Sequence, residues 1–326
     1  MPENTRVTHL FDCADVGAAL VAEGRRQDQP WRQVQGPWTR GGTQPAYYRF
    51  LADLALHYPR TEVWHVHMGG RARWARGRSA RPYVLTLHGT DIRENYWQAE
   101  HHESIRSDID QAQHVFYTTP DLREKAERAR SDAEYLPVAL DLGALPAWTP
   151  SGRPQVFFPS RWDDVKGGDD LLAMAAQIVR VVGPRAEMVG IDWGDRAAEA
   201  AARGIRLLPK MSPTDFLSAL SHAHVAVGQA TGALGVSELQ AMAIGVPLIF
   251  PDPVEGYPRG GDAGAVVIDR ADAGEAVLDA LVDPRETSMR VGGPAYVSRH
   301  HDAGGMVDRL RTVYAHASGR TRVGAA

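Results

Sequence analysis

The chain has 326 residues, of which 44% are hydrophobic and 23% are charged, as is ordinary for a soluble globular protein. This length favours two domains, because one domain commonly has roughly 100–200 residues. The net charge of -4 argues against a general nucleic-acid-binding protein, which usually carries a basic face. A single cysteine, Cys13, excludes an internal disulfide and fits a reducing compartment.

The first residues, MPENTRVTHLFDCADV, lack a basic segment followed by a long apolar run, so no signal peptide is predicted. The sequence has no stretch of about 18 apolar residues, so no membrane-spanning helix is predicted. The expected location is therefore the cytoplasm.

Short strand-like runs alternate with helical patterns along the first half of the chain. Strands are predicted at 6–11, 62–67, 82–89 and 114–119, and helices at 14–24, 45–57, about 99–112 and 120–129. Alternation at this spacing is typical of βαβ units, in which the strands form a parallel sheet.

The segment 141–154 interrupts this alternation with three prolines and two glycines, which indicates a linker between domains. A second alternating set follows. Its predicted strands are 155–160, 187–191, 205–209, 225–228, 246–250 and 265–269, and its helices begin at 169 and include 306–317. We therefore predict domains at 1–148 and 149–300, followed by a C-terminal helical segment at 301–326. In such α/β domains the ligand site lies at the carboxyl ends of the strands, and here we expect it in a cleft between the two domains.

The segment FPSRWDDVKGGDDLL (158–172) places two cations in the loop between a strand and a helix. Arg161 and Lys166 there could bind a phosphate or diphosphate group, since Arg offers a forked donor and Lys a mobile charge. The alternative is that both are solvated cations paired with Asp163 and Asp164.

The segment GALGVSELQAMAIGVPLIF (232–250) predicts a glycine-containing loop, a helix and a buried strand. Gly232 and Gly235 permit close approach of the backbone to a ligand, and the helix then begins near Ser237. Gln240 either hydrogen-bonds a ribose or sugar hydroxyl, or forms a capping box with Ser237.

His88 ends a predicted strand, where it could touch a substrate, and Asp91 either orients it or caps the next helix. His65 and His67 lie on one face of another strand, but no further ligand at a telling spacing suggests a metal site. The carboxylates at 108–110 are interpreted as a solvated helix face.

Five arginines surround Trp74 between 71 and 81, namely Arg71, Arg73, Arg76, Arg78 and Arg81. Such a segment could meet anionic lipid headgroups at a membrane surface or a phosphorylated acceptor. A solvated arginine-rich loop is the alternative.

Taken in order, HVH, LHGTD, YTTPDL, FPSRWDDVKGG, LLPKMSPTDFLSALSHAHVAVG and GALGVSELQAMAIGVPLI resemble the segments of GT-B glycosyltransferases of the retaining family 4. The resemblance covers roughly 5–315 and is strongest after 155. It implies an α/β fold with two Rossmann-like, doubly wound parallel-sheet domains facing a central cleft. It also implies that the C-terminal helix crosses back to the N-terminal domain.

The resemblance assigns roles to individual residues. Arg161 and Lys166 would grip the donor diphosphate, and His88 would contact the transferred sugar or the acceptor. The other donor-binding positions that it implies are Gly17, Asp91, Ser160, Leu208, Met211, Gly232, Leu234, Gly235 and Gln240, with the base held by backbone near Leu208–Met211.

The chain departs from the family at a pair of glutamates that normally contact the sugar and the ribose. Aligned on Gly235, these positions hold Gly232 and Gln240, and Glu238 is displaced by two residues. Gln240 can still hydrogen-bond a ribose, whereas Gly232 offers only its backbone.

The implied activity is retaining transfer of a sugar from a UDP-, GDP- or dTDP-linked donor to a hydroxyl acceptor, with no metal and no further cofactor. The acceptor could be a small metabolite, a glycolipid or a glycan. Two alternatives stay open: a GT-B nucleotide-sugar epimerase, and a non-catalytic protein that binds a sugar nucleotide or a partner.

Overall fold

The computed structural model describes residues 4–40, 42–77, 81–150, 152–258 and 262–319. The chain divides into two compact units. The first contains the described residues up to Asp141 and from His301 onward, and the second is Leu142–His300. The sequence-based division placed the first boundary at 148 and assigned 301–326 to a separate segment.

The first unit contains a six-stranded parallel sheet in the order β2-β1-β3-β4-β5-β6. The strands are β1 (Val7–Leu10), β2 (Arg32–Val34), β3 (Val63–Val66), β4 (Tyr83–Leu87), β5 (His114–Tyr117) and β6 (Glu134–Tyr135). The four predicted strands are confirmed. The other two, β2 and β6, are too short to show a hydrophobic period in the sequence.

Seven helices flank this sheet in the described part of the first unit. They are α1 (Val16–Arg26), α2 (Gln44–His57), α3 (Arg73–Arg76), α4 (Thr90–Arg93), α5 (Ala99–Gln111), α6 (Arg123–Ala129) and α14 (Ala303–Ala317). Helix α14 begins at Asp302, whose side chain accepts a hydrogen bond from the backbone of Gly304. It packs against α1 and buries Leu310 and Tyr314.

The second unit contains another six-stranded parallel sheet, in the order β12-β11-β10-β7-β8-β9. The strands are β7 (Gln155–Phe158), β8 (Glu187–Ile191), β9 (Arg206–Leu208), β10 (Val225–Val227), β11 (Leu248–Pro251) and β12 (Val266–Ile268). Its helices are α7 (Gly168–Val182), α8 (Ala197–Ala202), α9 (Pro213–Ser221), α10 (Val236–Ile244), α11 (Ala273–Val282), α12 (Pro284–Val291) and α13 (Gly293–His300). All six predicted strands are confirmed.

Helix α7 shows why these segments fold as they do. Leu171, Ala175, Ile178 and Val182 recur at helical spacing, and all are buried against the sheet. Burial of each large aliphatic side chain contributes about 1.5–3 kcal/mol. Every residue of β1, β3, β4, β10 and β11 is buried, because helices cover both sides of a parallel sheet.

Each sheet has a point at which the strand order reverses. In the first unit it lies between β1 and β3, and in the second between β7 and β10. Neighbouring crossover connections run to opposite faces there, which leaves a crevice at the carboxyl ends of the two strands. Ligands of open α/β sheets bind in this crevice, so the residues that follow these four strands are the candidate ligand contacts.

Among the described residues, no helix is long and apolar enough to cross a membrane.

Candidate functional site

The loop after β7 brings Lys166 to the N-terminus of α10. Gly167 has a φ of +109°, and a Cβ at this position would lie 2.8 Å from the Cβ of Ala230. The missing side chain lets the loops after β7 and β10 touch, and the backbone of Ala230 donates to the carbonyl of Lys166 at 3.2 Å. As a result, Lys166 Nζ lies 3.5 Å from the position of a Cβ at Gly235, the residue that precedes α10.

This placement of a cation is unusual for a helix. The N-terminus of a helix is its positive end and favours anions, whereas cations stabilise the opposite end. The N-terminus of α10 and the ammonium of Lys166 therefore favour negative charge at the same point. Part of that charge is supplied by Glu238, whose Oε2 lies 2.7 Å from the same Cβ position at Gly235.

Arg161 lies in the same loop but is held differently. Its Nε is 3.0 Å from Asp163 Oδ2, as the surface-pair alternative predicted, and its guanidinium lies 5.2 Å from the ring centre of Trp193. Asp164 pairs with Arg196.

Trp193 was not singled out in the sequence. It follows β8 and leaves 45% of its surface exposed, although large aromatic residues are usually buried. The Nζ of Lys210 lies 4.5 Å from its ring centre, and Arg161 approaches the same ring. Trp193 thus connects the loop after β7 with the segment after β9, where Leu208 and Met211 were predicted to bind the base. The signal in the sequence is an aromatic residue directly after a buried strand.

Glu238 is completely buried and joins the loops of this site. Its carboxylate accepts hydrogen bonds from the hydroxyl groups of Ser160 and Ser237 and from the backbone N–H groups of Gln229 and Gly235. The predicted capping box at Ser237 and Gln240 is wrong, because α10 begins two residues earlier, with Gly235 as N-cap and Glu238 at its third position. Ser160 is thereby placed at the site, but its hydroxyl group is taken by Glu238.

The backbone conformation and the close packing at position 232 require a glycine. Its φ is +69°, and a Cβ there would lie 2.1 Å from the carbonyl oxygen of Asp252. Its own carbonyl accepts from the N–H of Val254 at 2.9 Å. No side chain fits, so the family's first glutamate has no equivalent at this position.

The remaining predicted donor residues lie near this loop. Leu234 is buried and its N–H donates to the hydroxyl of Tyr257, so its amide is already used. Gln240 is half-buried on α10, one turn after Val236. Gln229 is 4% exposed; its Nε2 donates to the carbonyl of Ala233, while its Oε1 has no hydrogen-bond partner in the described parts of the chain. Gln229 is thus a buried acceptor that the sequence did not reveal.

In the first unit, Asp12 organises the turn that follows β1. Its carboxylate accepts from the N–H groups of Gly17 and Ala18 at 2.7 and 3.0 Å and from Nε2 of Gln33. A Cβ on Gly17 would lie 3.0 Å from Nε2 of His67, so a glycine is needed for the close approach of α1. Ala14 and Asp15 in this turn both adopt positive φ.

Asp91 anchors the loop that carries His88. It is 5% exposed, and its two oxygens accept from the backbone N–H groups of Gly69, His88, Gly89 and Ile92. The N-cap of the next helix, α4, is Gly89, so these contacts favour the orienting alternative over the capping one. Contact of Asp91 with the donor stays a prediction. His88 itself is half-buried at the carboxyl end of β4.

The histidine pair on β3 belongs to a larger cluster. His9 on β1 pairs in register with His65, and all three side chains of His9, His65 and His67 are completely buried. Sequence reasoning missed His9 because nothing in a single sequence shows that β1 and β3 are neighbours. Nε2 of His67 lies 2.9 Å from Nδ1 of His9, and Nδ1 of His67 lies 3.1 Å from Nε2 of His88.

Burial keeps this cluster uncharged. It lowers the pKa of His67 to about 3 and, with the neighbouring His67 as a second cause, the pKa of His88 to about 4. The pKa values of His9 and His65 also lie well below the ordinary value, mainly because of burial.

His9, His65 and His67 are also the residues that could hold a metal ion, since each offers a nitrogen within 4.8 Å of the others. Neutral imidazoles suit such a role. However, the rings of His65 and His67 are stacked with 22° between their planes, and those of His9 and His67 with 23°. Imidazole lone pairs lie in the ring plane, so stacked rings do not direct them at one point. We therefore interpret the cluster as a hydrogen-bonded one.

Several arginines of the segment 71–81 contact other residues of the first unit. Arg76 pairs with the buried carboxylate of Asp108 at 2.9 Å, which contradicts the interpretation of Asp108 as part of a solvated face. Arg81 donates to the carbonyl of Thr61, and Arg71 and Arg73 stack on tryptophan rings. Arg78 lies outside the described residues. Arg73–Arg76 form α3, so this part of the segment is helical and not a loop, and a membrane contact stays a prediction.

Comparison with solved structures places this architecture in a known class. The crystal structure of Anabaena Alr3699/HepE in complex with UDP and glucose matches with a TM-score of 0.68 and 12% identity, over 96% of this chain and 100% of that one. Staphylococcus aureus TarM matches with a TM-score of 0.61 and 12% identity, over 77% of this chain and 54% of that one. The chain has the GT-B fold. The aligned part is about half the length of TarM.

A putative UDP-N-acetylglucosamine 2-epimerase from Listeria monocytogenes shares this GT-B fold, with a TM-score of 0.58, 12% identity and 97% coverage of both chains. No protein-family model matches the sequence, and no curated protein matches it either. The predicted fold is therefore confirmed, whereas membership of family 4 stays a prediction.

Proposed function

We propose that the protein is a glycosyltransferase that moves a sugar from a nucleoside-diphosphate sugar to a hydroxyl acceptor, with retention of configuration and without a metal ion. The observation that carries this proposal is the placement of Lys166 beside the N-terminus of α10. A GT-B protein whose switch point attracts a diphosphate has the feature that a sugar-nucleotide donor requires.

The proposed donor site extends on both sides of this point. The diphosphate would lie between Lys166 and the N–H groups that precede α10, and Arg161 would turn from Asp163 to a phosphate oxygen. The base would lie toward Trp193 and the segment 208–211. UDP-sugars are the first donors to test, because HepE was crystallised with UDP-glucose and TarM with UDP.

The proposed mechanism follows from the charge that develops in the reaction. As the glycosidic bond breaks, negative charge grows on the diphosphate oxygens while the sugar gains oxocarbenium character. Lys166, Arg161 and the helix N-terminus would stabilise the leaving group, and each preorganised donor of this kind is worth about 3–4 kcal/mol. The leaving phosphate would accept the acceptor's proton on the same face, which requires no carboxylate base.

Sugar-nucleotide epimerisation is the second candidate, favoured by the full-length match to the Listeria protein. Such a reaction needs carboxylates or histidines that can exchange protons with the substrate. Here Asp12, Asp91 and Glu238 are each occupied by two or more hydrogen-bond donors. His88 has a pKa of about 4, which is low for a general base near neutral pH. These observations favour the transferase.

The test is a thermal-shift screen of free nucleotides and sugar nucleotides, followed by product analysis with and without alcohol acceptors. A ligand at a hundredfold excess over its Kd adds about 2.7 kcal/mol to the free energy of unfolding. We expect one nucleoside diphosphate to raise the melting temperature and Arg161→Ala to abolish that rise. Arg180→Ala, a change at an exposed position on α7, is the matched control.

Each outcome assigns the protein to one class. A donor that is consumed only when an acceptor is present supports the transferase. An isomerised sugar nucleotide formed without acceptor supports the epimerase. Binding without any product supports a non-catalytic protein, and no shift with any nucleotide contradicts the proposed donor site.

A further inference from the structure

A continuous chain of hydrogen bonds runs from His88 into the core of the first unit. Its members are buried or half-buried polar side chains on β1, β3, β4 and α14. The contacts are His88 Nε2 to His67 Nδ1 (3.1 Å), His67 Nε2 to His9 Nδ1 (2.9 Å), His9 Nε2 to Tyr314 Oη (3.4 Å), Tyr314 Oη to His65 Nδ1 (2.6 Å) and His65 Nε2 to Thr86 Oγ1 (2.6 Å).

The chain allows three arrangements of its hydrogens. A neutral imidazole has one N–H donor and one acceptor nitrogen, whereas a hydroxyl has a single hydrogen and can accept two. Tyr314 therefore donates to His65 and accepts from His9, donates to His9 and accepts from His65, or accepts from both. Each of these choices fixes the directions of all the other bonds, because each histidine in the interior of the chain uses both ring nitrogens within it. Nδ1 of His88 is a donor only when Tyr314 donates to His9, and it is an acceptor in the other two arrangements.

The contacts of His65 select one of these arrangements. Both of its hydroxyl partners lie at 2.6 Å, a distance typical of O–H donors, but a neutral His65 can accept from only one of them. A phenol is a much stronger acid than an aliphatic alcohol, so Tyr314 is the better donor. Tyr314 therefore donates to Nδ1 of His65, and Nε2–H of His65 donates to Thr86.

The rest of the chain follows from this step. The single hydrogen of Tyr314 is used by His65, so the contact to His9 must run from Nε2–H of His9 to the phenol oxygen. Its length of 3.4 Å fits a weaker N–H donor. His9 then accepts from Nε2–H of His67, and His67 accepts from Nε2–H of His88.

We propose that this chain holds His88 as its Nε2–H tautomer and so presents Nδ1 as a hydrogen-bond acceptor for a hydroxyl group of the ligand. His67, His9 and Tyr314 are positioning residues, because they act through His88. A ligand hydroxyl can donate to Nδ1, whereas a fluorine or methoxy group at the same position cannot. The assignment of this hydroxyl to a sugar rests on the proposed function. The assignment of the tautomer rests only on the hydrogen bonds of the chain.

The tautomer is measured directly by NMR of the ligand-free protein with 15N-labelled histidine rings. Two-bond and three-bond correlations between ring carbon-bound hydrogens and ring nitrogens show which nitrogen carries the hydrogen. We expect all four histidines of the chain as the Nε2–H form at neutral pH. An Nδ1–H form or an imidazolium at His88 would overturn the proposal.

Tyr314→Phe removes the group that directs the chain, so we expect both tautomers of His88 to appear. Tyr83→Phe is the matched control, because it also removes one buried phenol hydroxyl from this unit, which bonds the carbonyl of Asp108 at 2.6 Å. If Tyr314→Phe does not fold, His67→Phe removes the acceptor of the His88 Nε2–H and keeps a buried ring at that position. An unchanged His88 spectrum in the folded variant contradicts the proposal.

The hydroxyl ligand is tested with the sugar nucleotide found in the thermal-shift screen and its monofluorinated analogues. Replacement of one hydroxyl by fluorine should weaken binding about tenfold in the wild type, and not in His88→Ala, as expected when a single donor to a buried acceptor is lost. Equal losses in both proteins, or none at any position, contradict the assignment of Nδ1. If the protein binds no sugar nucleotide, the proposed function is contradicted. The tautomer of His88 is still tested, because the NMR measurement uses the ligand-free protein.

Discussion

Each sheet has a switch point beside the first strand of its unit, yet the chemistry at the two switch points is opposite. Between β1 and β3 the sheet buries neutral histidines that bond one another. Between β7 and β10 it buries one carboxylate, Glu238, under glycine-containing loops with Lys166 beside them. The first arrangement offers directed, uncharged hydrogen bonds, and the second offers positive charge. A shared fold fixes where a site lies, while the side chains decide what it can bind.

The largest expected difference between the units is their response to acid. Histidines that are neutral when folded gain protons on unfolding below pH 6.5, so the unfolded state is favoured as the pH falls. The window extends from pH 6.5 down to the folded pKa values of about 4 for His88 and about 3 for His67. Each histidine contributes a loss of about 1.4 kcal/mol per pH unit, so the four together contribute a loss of about 5.5 kcal/mol per pH unit.

The slope is measured by urea unfolding of the whole protein at several pH values between 7 and 5. Hydrogen exchange of backbone amides reports the unfolding of the first unit separately from that of the second. His88→Gln should reduce it by about 1.4 kcal/mol per pH unit. His316→Gln, a change at an exposed histidine on α14, should leave it unaltered. Equal pH slopes for the two units would contradict the comparison.

Glu238→Ala should give the next largest effect, confined to the second unit. It leaves the hydroxyl of Ser160 and the buried N–H groups of Gln229 and Gly235 without their acceptor. Each unsatisfied buried donor costs about 1–3 kcal/mol, so we expect a loss of about 3–5 kcal/mol in the free energy of unfolding.

Denaturant titration of Glu238→Ala and Glu275→Ala compares the loss of a buried carboxylate with the loss of an exposed one. The difference in the free energy of unfolding separates the lost hydrogen bonds from the general effect of removing a charge. Glu275 is an exposed residue in the first turn of α11, and its removal should cost less than about 0.5 kcal/mol. Similar losses in both variants would show that Glu238 does not hold the loops together.

Lys166→Ala should reduce activity without a comparable loss of stability. If Lys166 stabilises the leaving diphosphate, kcat should fall about 10²–10³-fold, which corresponds to about 2.7–4 kcal/mol. The melting temperature should change little. Turnover with the donor identified by the binding screen is the measurement, with Arg180→Ala as control. Unaltered turnover in a variant that melts normally would remove Lys166 from the mechanism.

Gly232→Ala tests whether the loop before α10 depends on close packing as well as on backbone conformation. Gly292 has nearly the same φ, +68°, with no atom within 4 Å of an added Cβ. Gly292→Ala should therefore show the conformational strain alone, about 1 kcal/mol. Gly232→Ala should cost about 2–3 kcal/mol, because the added Cβ also meets the carbonyl of Asp252. Thermal unfolding of both variants gives the comparison, and equal losses would exclude a steric role.

The sequence was sufficient for the fold because hydrophobic period and strand–helix alternation are local signals. It predicted ten of the twelve strands, the position of His88 at a strand end and that of Lys166 between a strand and the next long helix. It failed at β2 and β6, which have three and two residues and are held by pairing with their neighbours. It also misplaced the start of α10, because Ser237 looks like a cap, whereas the buried carboxylate of Glu238 selects Gly235.

The sequence by itself determined the two α/β units, the loops that follow their strands and the residue types that those loops offer. Only the tertiary structure decided which of these residues meet. His9 and His67 are separated by 58 residues, and Ser160 and Glu238 by 78, yet each pair is hydrogen-bonded. Parallel strands bring distant segments side by side, and burial then removes water as the competing partner, so these polar groups must bond each other. That requirement is a property of the packed sheet, and no local sequence pattern records it.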